Sequence, residues 1–257
     1  MIRHGILLAE KPILKGIENH KYRIQIASDE SQVEEALSLR YRVFGEELNR
    51  QFSFKGKKDR DEYDDQSHHL LVIEKETGSI IGTYRLQRYE QAMEGNGFAS
   101  SRRFVLDVLP DDLLRKSFEV GRVCIDPTHR NGRVLYLLWK GLAGYLNHYN
   151  LRYLFGYSAL EDSGIEKALH TWHYLRLNKY MDPTFNVEVR DEYKLNTTNG
   201  TMVSGDMDIP PLLQNYLDVG TRICSEPAYV DSMKIAYFFI LFDVENITER
   251  TRRMFFG

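Results

Sequence analysis

A chain of 257 residues, 42% apolar and 28% charged, is long enough to bury a substantial core and has the composition of an ordinary globular protein. Its net charge of −3 leaves no basic footprint, which argues against a general nucleic-acid binder. Two cysteines far apart in the chain, Cys124 and Cys224, make neither a close-spaced metal motif nor a disulfide framework and are expected to be buried, reduced thiols of a cytoplasmic protein.

The start, "MIRHGILLAEKPILKG", has a short apolar run broken by Glu10, Lys11 and Pro12, unlike a signal peptide. No run approaches the about 18 apolar residues of a membrane span. Residues 1–20 read as an N-terminal extension and 21–257 as a single domain without repeats or low-complexity linkers. "KYRIQIA" predicts a first strand. "SDESQVEEALSLRYRVF" comes next, with a capping residue, early acids and apolar positions at Val33, Ala36, Leu37 and Phe44, a helix signature. The charged "NRQFSFKGKKDRDEYDDQ" predicts a long loop, and "HHLLVIEKETGSIIGTYRL" two strands joined by a Thr-Gly turn. Next come a strand near Phe118–Ile125 and a helix from about Gly132 to Tyr149. "RYLFGYSA" predicts a strand and "EDSGIEKALHTWHYLRLN" a helix. Past a polar stretch at Asn196–Asp208, "PPLLQNYLDVGTRI" predicts a helix begun by proline, and "AYFFILFDV" a late apolar strand. This mixture predicts an α/β (α+β) fold, a mixed central sheet with helices on both faces.

Packing alone does not explain the polar residues around the turn after Ile125. Glu119 and Arg122 stand three apart on a strand, so regular alternation sends them to opposite faces, where each can pair with a neighbour at the strand edge. A bulge would bring both to one cleft, and strand ends beside helix starts are where α/β sheets place ligands. "HRNGRV" before the long helix is a candidate anion cradle, with Asn131 and Gly132 bending the backbone so that amide hydrogens meet a phosphate. Ordinary turns use glycine in the same way. "DEYD", Asp61 to Asp64, is either a solvated surface run, the commoner case, or a pocket for a substrate ammonium. Adjacent His68 and His69 face opposite ways on a strand, and His170 with His173 lack a third ligand, so no metal site is predicted. No Gly-x-Ser-x-Gly elbow is present, and Cys124 has no His partner in its sequence context.

Taken in order, "LRYRVF", "DEYDD", "HHLLV", "IGTYRL", "FEVGRVCIDPTHRNG" and "LLWKGLAGYL" resemble the acyl-carrier-protein-dependent N-acyltransferases. The nearest resemblance is to the ornithine-lipid and glycine-lipid synthases, often described as hemolysin-like, within the Gcn5-related N-acetyltransferase (GNAT) superfamily. It runs from about Tyr22 to the C-terminus. Acyl-homoserine-lactone synthases and long-chain N-acyl-amino-acid synthases share the scaffold. The lactone synthases have an Arg four before a Phe, matched by Arg40 and Phe44, and an Asp-x-x-Asp, matched by Asp61 and Asp64. They also have an Arg-Leu on a strand, matched at Arg85, and a Glu-x-x-Arg, matched by Glu119 and Arg122. The tryptophan that comes soon after the Phe in those proteins is missing, which leaves the lipid-type reaction ahead. In the superfamily's pyrophosphate loop an Arg or Gln, two residues, Gly, one residue and a Gly or Ala succeed one another. Here His129 or Arg130 leads, Gly132 is present, and Val134 stands at the second small position, where a β-branched side chain is expected to crowd a pyrophosphate.

The resemblance implies a GNAT-like mixed sheet that transfers a (3-hydroxy)fatty acyl group from the phosphopantetheine thioester of acyl-carrier protein. The acceptor would be the α-amine of an amino acid of ornithine or glycine type, the product a lyso-aminolipid, with no metal or other cofactor. Glu119 is the expected general base with Arg122 beside it. Asp61, Asp64, Arg85 and Arg40 are the expected acceptor residues. Val123, Ile125, Arg130, Asn131, Gly132 and Arg133 are the expected donor residues, with the acyl chain in an apolar slot between splayed central strands. Arg130, Arg133 and Lys140 are expected to dock the acidic carrier. The tail "ERTRRMFFG" is expected either to touch the inner face of the membrane or to finish the core. Rival readings are a coenzyme-A-dependent N-acetyltransferase of a small amine, a signal synthase of the lactone or N-acyl-amino-acid type, and a membrane-active protein. The absence of a strongly amphipathic segment argues against the last.

Overall fold

The computed structural model of the chain describes residues 5–9, 13–14, 16–48, 54, 56–195 and 209–257. Parts of the N-terminal run and of the long loop before residue 56, and all of the polar stretch 196–208, therefore lie outside the described residues. In chain order the elements are β1 (Tyr22–Ile26), α1 (Glu30–Arg40), β2 (His68–Glu74), β3 (Ile80–Arg88), α2 (Tyr89–Glu94), β4 (Phe104–Val105), α3 (Asp111–Arg115) and β5 (Ser117–Ile125). They continue with α4 (Arg133–Tyr149), β6 (Tyr153–Leu160), α5 (Ile165–Leu177), β7 (Glu188–Val189), α6 (Pro211–Asp218), β8 (Arg222–Ile223), β9 (Ala228–Val230), β10 (Ile235–Asp243) and α7 (Glu249–Phe255). The long predicted strands and helices are present. The short ones, α2, α3, β4, β7, β8 and β9, carry too few residues to show a period.

The chain folds as two compact units, each drawn from separate stretches of sequence. One comprises residues up to Gly97, Phe118–Leu151 and Arg253–Gly257. In it β1, β2, β3 and β5 pair antiparallel in that order. Alternation along β2 sorts its side chains. Leu71 and Ile73 join Val33, Leu37 and Leu39 of α1 in one apolar layer, and Leu70 meets α4 on the other face. The sheet of this unit thus has a helix on each face. Asp29 caps α1, its carboxylate accepting from Gln32 N at 3.0 Å. The helix then widens into a π-helical turn over Tyr41–Glu47, with Leu48 N bonded to Val43 O. That turn sends Val43 and Phe44 inward.

The second unit, Phe98–Ser117 with Arg152–Arg252, is built on β6, β10 and β8, with β9 pairing β10 and β4 pairing β7, all antiparallel. Its core is aromatic: Phe239 lies between Phe104 and Phe155, with ring centroids 5.4 and 5.5 Å away. Near the C-terminus Phe255 is buried against Tyr136 and Trp139 of α4. That residue of the tail finishes the core. Among the described residues no helix is long and apolar enough to cross a membrane.

Close approach of α4 to the sheet depends on glycine. A Cβ on Gly141 would stand 2.9 Å from Leu70 Cδ1 and 3.2 Å from Ile24 Cγ2, both buried side chains. Gly141→Val is expected to overpack this seam and lower unfolding free energy by about 1–3 kcal/mol, read as a lower urea midpoint at unchanged slope.

Candidate active site

The sheet register resolves how Glu119 and Arg122 relate. β3 and β5 pair Arg85 with Gly121 and then Thr83 with Cys124, so Arg122 and Val123 stand opposite the single residue Tyr84. Arg122 has φ of 52°, in the left-handed region, and the strand bulges there. Glu119 and Gly121 share the α1 face with their partners Gln87 and Arg85. The extra residue swings Arg122 to that face too, where its Nη2 donates to Asp61 Oδ2 at 3.0 Å. It also flips the alternation in the rest of the strand, so Cys124 enters the α1 core.

Facing this strand is an ion network. Arg40, the last residue of α1, is fully buried. It donates from Nε to Asp59 Oδ2 at 2.8 Å and from Nη1 and Nη2 to the two oxygens of Asp64 at 2.6 and 3.2 Å. Arg85 Nη1 donates to Asp61 Oδ1 at 2.5 Å and to Asp64 Oδ1 at 3.3 Å. Asp64 also accepts from the Asp61 amide, and Asp61 from the Tyr63 amide, so the loop that carries the acids is folded around them. "DEYD" is therefore not a solvated run: Asp59 and Asp64 are buried, because each finds a guanidinium there. Burial opposes the charge on Asp64, but Arg40 and Arg85 overcome it and hold its carboxyl well below the usual range. Asp61 is lowered in the same way, burial being outweighed by Arg85 and Arg122. Burial likewise opposes the charge of Arg40, and Asp64 with Asp59 raises its pKa nonetheless. Asp61 and Arg122 form the wetter rim, their side chains 15% and 19% exposed against 1% for Arg40. Glu119 is buried at 5% exposure.

The loop "HRNGRV", expected from the sequence to meet the donor, comes directly after β5. Gly132, with φ of 76°, precedes α4, whose first-turn amides have no acceptor within the helix. Arg133 and Asn131 are exposed there, and Val123 and Ile125 are partly buried. The leading side chains are tied down: Arg130 makes a two-pronged bond to Glu47 at 2.5 and 2.6 Å, and His129 Nε2 lies 3.4 Å from Glu74 Oε1. Val134 corrects the sequence reading. It is fully buried, its Cγ1 3.1 Å from where a Cβ on Gly82 would stand, so its bulk is turned into the sheet and does not crowd the loop.

The structure brings Glu119, Arg122, Arg85, Asp61, Asp64 and Arg40 together, and sets Arg130, Asn131, Gly132 and Arg133 at the far end of β5. Sequence reasoning missed Asp59, which continues the alternation of acids two residues before Asp61, and Glu47, which no local signal ties to Arg130. His68 and His69 do face opposite ways, to the Tyr145 hydroxyl and to the Asp64 carbonyl. Both are pulled down to about 4, chiefly by burial, which Arg88 assists at His68 and which outweighs the opposing pull of the Asp64 carboxylate at His69. Both cysteines are free and buried, and burial pushes the Cys124 thiol up to about 12, which makes it inert at neutral pH.

With this geometry the chain matches known proteins. The family described as "Acetyltransferase (GNAT) domain" matches residues 39–140. An L-ornithine N(alpha)-acyltransferase of Brucella abortus is 29% identical over 247 residues, 88% of this chain and 86% of that protein. One of Rhizobium meliloti is 28% identical over 252 residues, 90% and 81% of the two chains. Among solved structures, the CoA-dependent acyl-homoserine lactone synthase BjaI with SAM and isopentyl-CoA superposes with a TM-score of 0.52 at 15% identity, covering 88% of this chain and 81% of that one. The AHL synthase LasI does so with a TM-score of 0.50 at 13% identity, over 92% and 95%. These two show the fold.

Breaking the network from one side strands a charge. Asp64→Asn leaves Arg40 under-compensated and is expected to destabilise the protein by about 3–5 kcal/mol. A carboxyl whose pKa is depressed by folding stabilises above its unfolded value of about 3.9 and loses that contribution as pH falls below it. Unfolding free energy of the wild type should therefore drop steeply in acid, and that of Asp64→Asn less steeply, as urea titrations at several pH values would read.

Proposed function

We propose that this chain, an N-acyltransferase of GNAT fold, joins a fatty acyl group to the α-amine of ornithine. The acceptor comes from the names of the relatives that match along most of the chain. The observation that carries the reading to particular residues is the bulge at Arg122. It gathers an acid, two guanidinium groups and an acidic rim on one face, and its irregular backbone frees strand amides from the ladder.

The reaction is aminolysis of a thioester. The substrate ammonium first loses one proton to solvent. The neutral amine then attacks the thioester carbon, and Glu119 takes a proton from the nitrogen as the C–N bond forms. The carbonyl oxygen becomes an oxyanion, which amides freed at the bulge suit. As the oxyanion collapses the C–S bond breaks, and Glu119 returns its proton to the departing sulfur. Arg122 and Asp61, at the wetter rim, fit the acceptor's carboxylate and its second ammonium. Arg40 and Asp64 fit a different part, holding the rim from beneath, because a side chain without solvent access and already paired has nothing to offer a ligand. No step needs a metal or redox group.

For the donor we propose a fatty acyl chain on the phosphopantetheine of acyl-carrier protein. The loop at Gly132 suits one phosphate. Arg133 is exposed, and Lys140 lies two helical turns further along the same face of α4, which gives an acidic carrier a basic surface to meet.

Glu119→Gln is expected to keep its fold and lose turnover by about 10²–10⁴-fold. Mass spectrometry of N-acylornithine formed from purified protein, ornithine and acyl donor tests both enzyme and residue. Acetylation of small amines from acetyl-coenzyme A in place of that product would favour the acetyltransferase reading. In the same assay, matched chains on carrier protein and on coenzyme A separate the donors. Carrier-dependent rates should fall with added salt, whose screening length is about 8 Å at physiological strength, and with Arg133→Glu. Equal efficiency with both donors would sink the carrier assignment.

A further inference from the structure

Gln87 lies directly across the β3–β5 ladder from Glu119 and is 1% exposed. Register partners on one face hold their Cβ atoms about 4.5–5.5 Å apart. Its Nε2 donates to the Gly97 carbonyl at 2.9 Å, which fixes the amide's orientation, because a flip would set two carbonyl oxygens against each other. That carbonyl takes a second donor from Gln66 Nε2 at 3.0 Å, so the anchor is held from two sides. The consequence is an Oε1 that is buried with no hydrogen-bond partner among the described residues. A desolvated acceptor without a donor is costly to keep. Two residues along from Glu119 the same face opens: a Cβ on Gly121 would meet only Arg85 Nη2, at 4.0 Å.

Acting as the base, Glu119 has no hydrogen to give Gln87. Gln87 and Glu119 stand across the ladder from each other, one register pair along from that opening, and two oxygen-bearing side chains so placed suit a guest with more than one N–H. We infer that Gln87 is a specificity-determining residue for the acceptor, its Oε1 receiving one N–H of the attacking amine while Glu119 receives the other. The inference rests on the N-acyltransfer reading with Glu119 as base. The proton on Glu119 goes to the departing sulfur; the hydrogen held by Gln87 stays on nitrogen and becomes the amide N–H of the product. Holding it aims the nitrogen lone pair at the thioester carbon. A secondary amine has a single N–H, which Glu119 must take, so it leaves Oε1 unpartnered. The site should therefore select primary amines.

The experiment compares wild type and Gln87→Met, ornithine and α-N-methylornithine, one saturating acyl donor, and thermal melting of both proteins. Methionine keeps the length of the side chain and removes the acceptor. Expected are a variant that melts within a few degrees of wild type, a fall of at least about tenfold in kcat/KM for ornithine, an unchanged KM for the donor, and loss of most of the preference for ornithine over its N-methyl analogue. Wild-type kcat/KM in the variant, or an equal loss for both acceptors, would overturn the assignment. So would a wild-type enzyme that acylates both amines equally well, a result that does not depend on the variant folding. A wild type that forms no N-acylornithine at all would instead remove the parent reading.

Discussion

Arg40 is a guanidinium at the end of a helix with essentially no water around it, and the site is arranged as the answer to that constraint. A buried guanidinium keeps its proton, so its charge must be met, and one carboxylate cannot satisfy donors that fan out in a plane. Asp64 takes the two Nη groups and Asp59 takes Nε. Both acids sit on the loop after the π-helical turn, so meeting the charge of Arg40 pins that loop beneath β3 and β5. The pinned loop then presents Asp61 to Arg85 and Arg122. Charge is handed outward from a dry pair to a wetter one. Solvent reaches the network only at its outer end, at Asp61 and Arg122.

The bulge is the second device, and it acts on backbone. A regular strand cannot put residues three apart on one face. One extra residue in β5 cancels the alternation and brings Glu119 and Arg122 to one face, while the same slip sends Cys124 into the core layer of α1. The left-handed φ of Arg122 is a strain that a non-glycine residue bears only when its surroundings hold it. Here the hold is visible: its side chain is drawn to Asp61 and Asp59.

Much of this was legible before any coordinates. The strands at His68–Glu74 and Ile80–Arg88, and the helix from Arg133, carry periodic apolar residues bounded by turn residues, and periodicity is what a sequence displays most openly. The spacing of Glu119 and Arg122 even posed the right geometric question. What stayed hidden depends on contacts distant in sequence. Nothing near Asp61–Asp64 announces that Arg40 will neutralise it, so an acidic run looks solvated. Nothing near Gln87 announces Gly97, so a glutamine in an apolar strand looks incidental. Burial of a polar side chain is decided by its partner, and the partner is set by topology.

Val134 shows how such a contact reverses an inference. At the second small position of a phosphate loop a β-branched side chain looks obstructive, provided it points at the ligand. Position on the helix decides that. Val134 falls on the stripe of α4 that meets the sheet, together with Leu137, Leu138 and Gly141, so its methyl groups go inward. Room for them comes from Gly82 on β3, where any Cβ would press on Val134 Cγ1. Bulk absent from the strand is present on the helix, and the space between them stays filled. The small residue that close approach of helix and sheet requires is here on the strand, and the loop before the helix has Gly132 where its left-handed backbone needs a glycine.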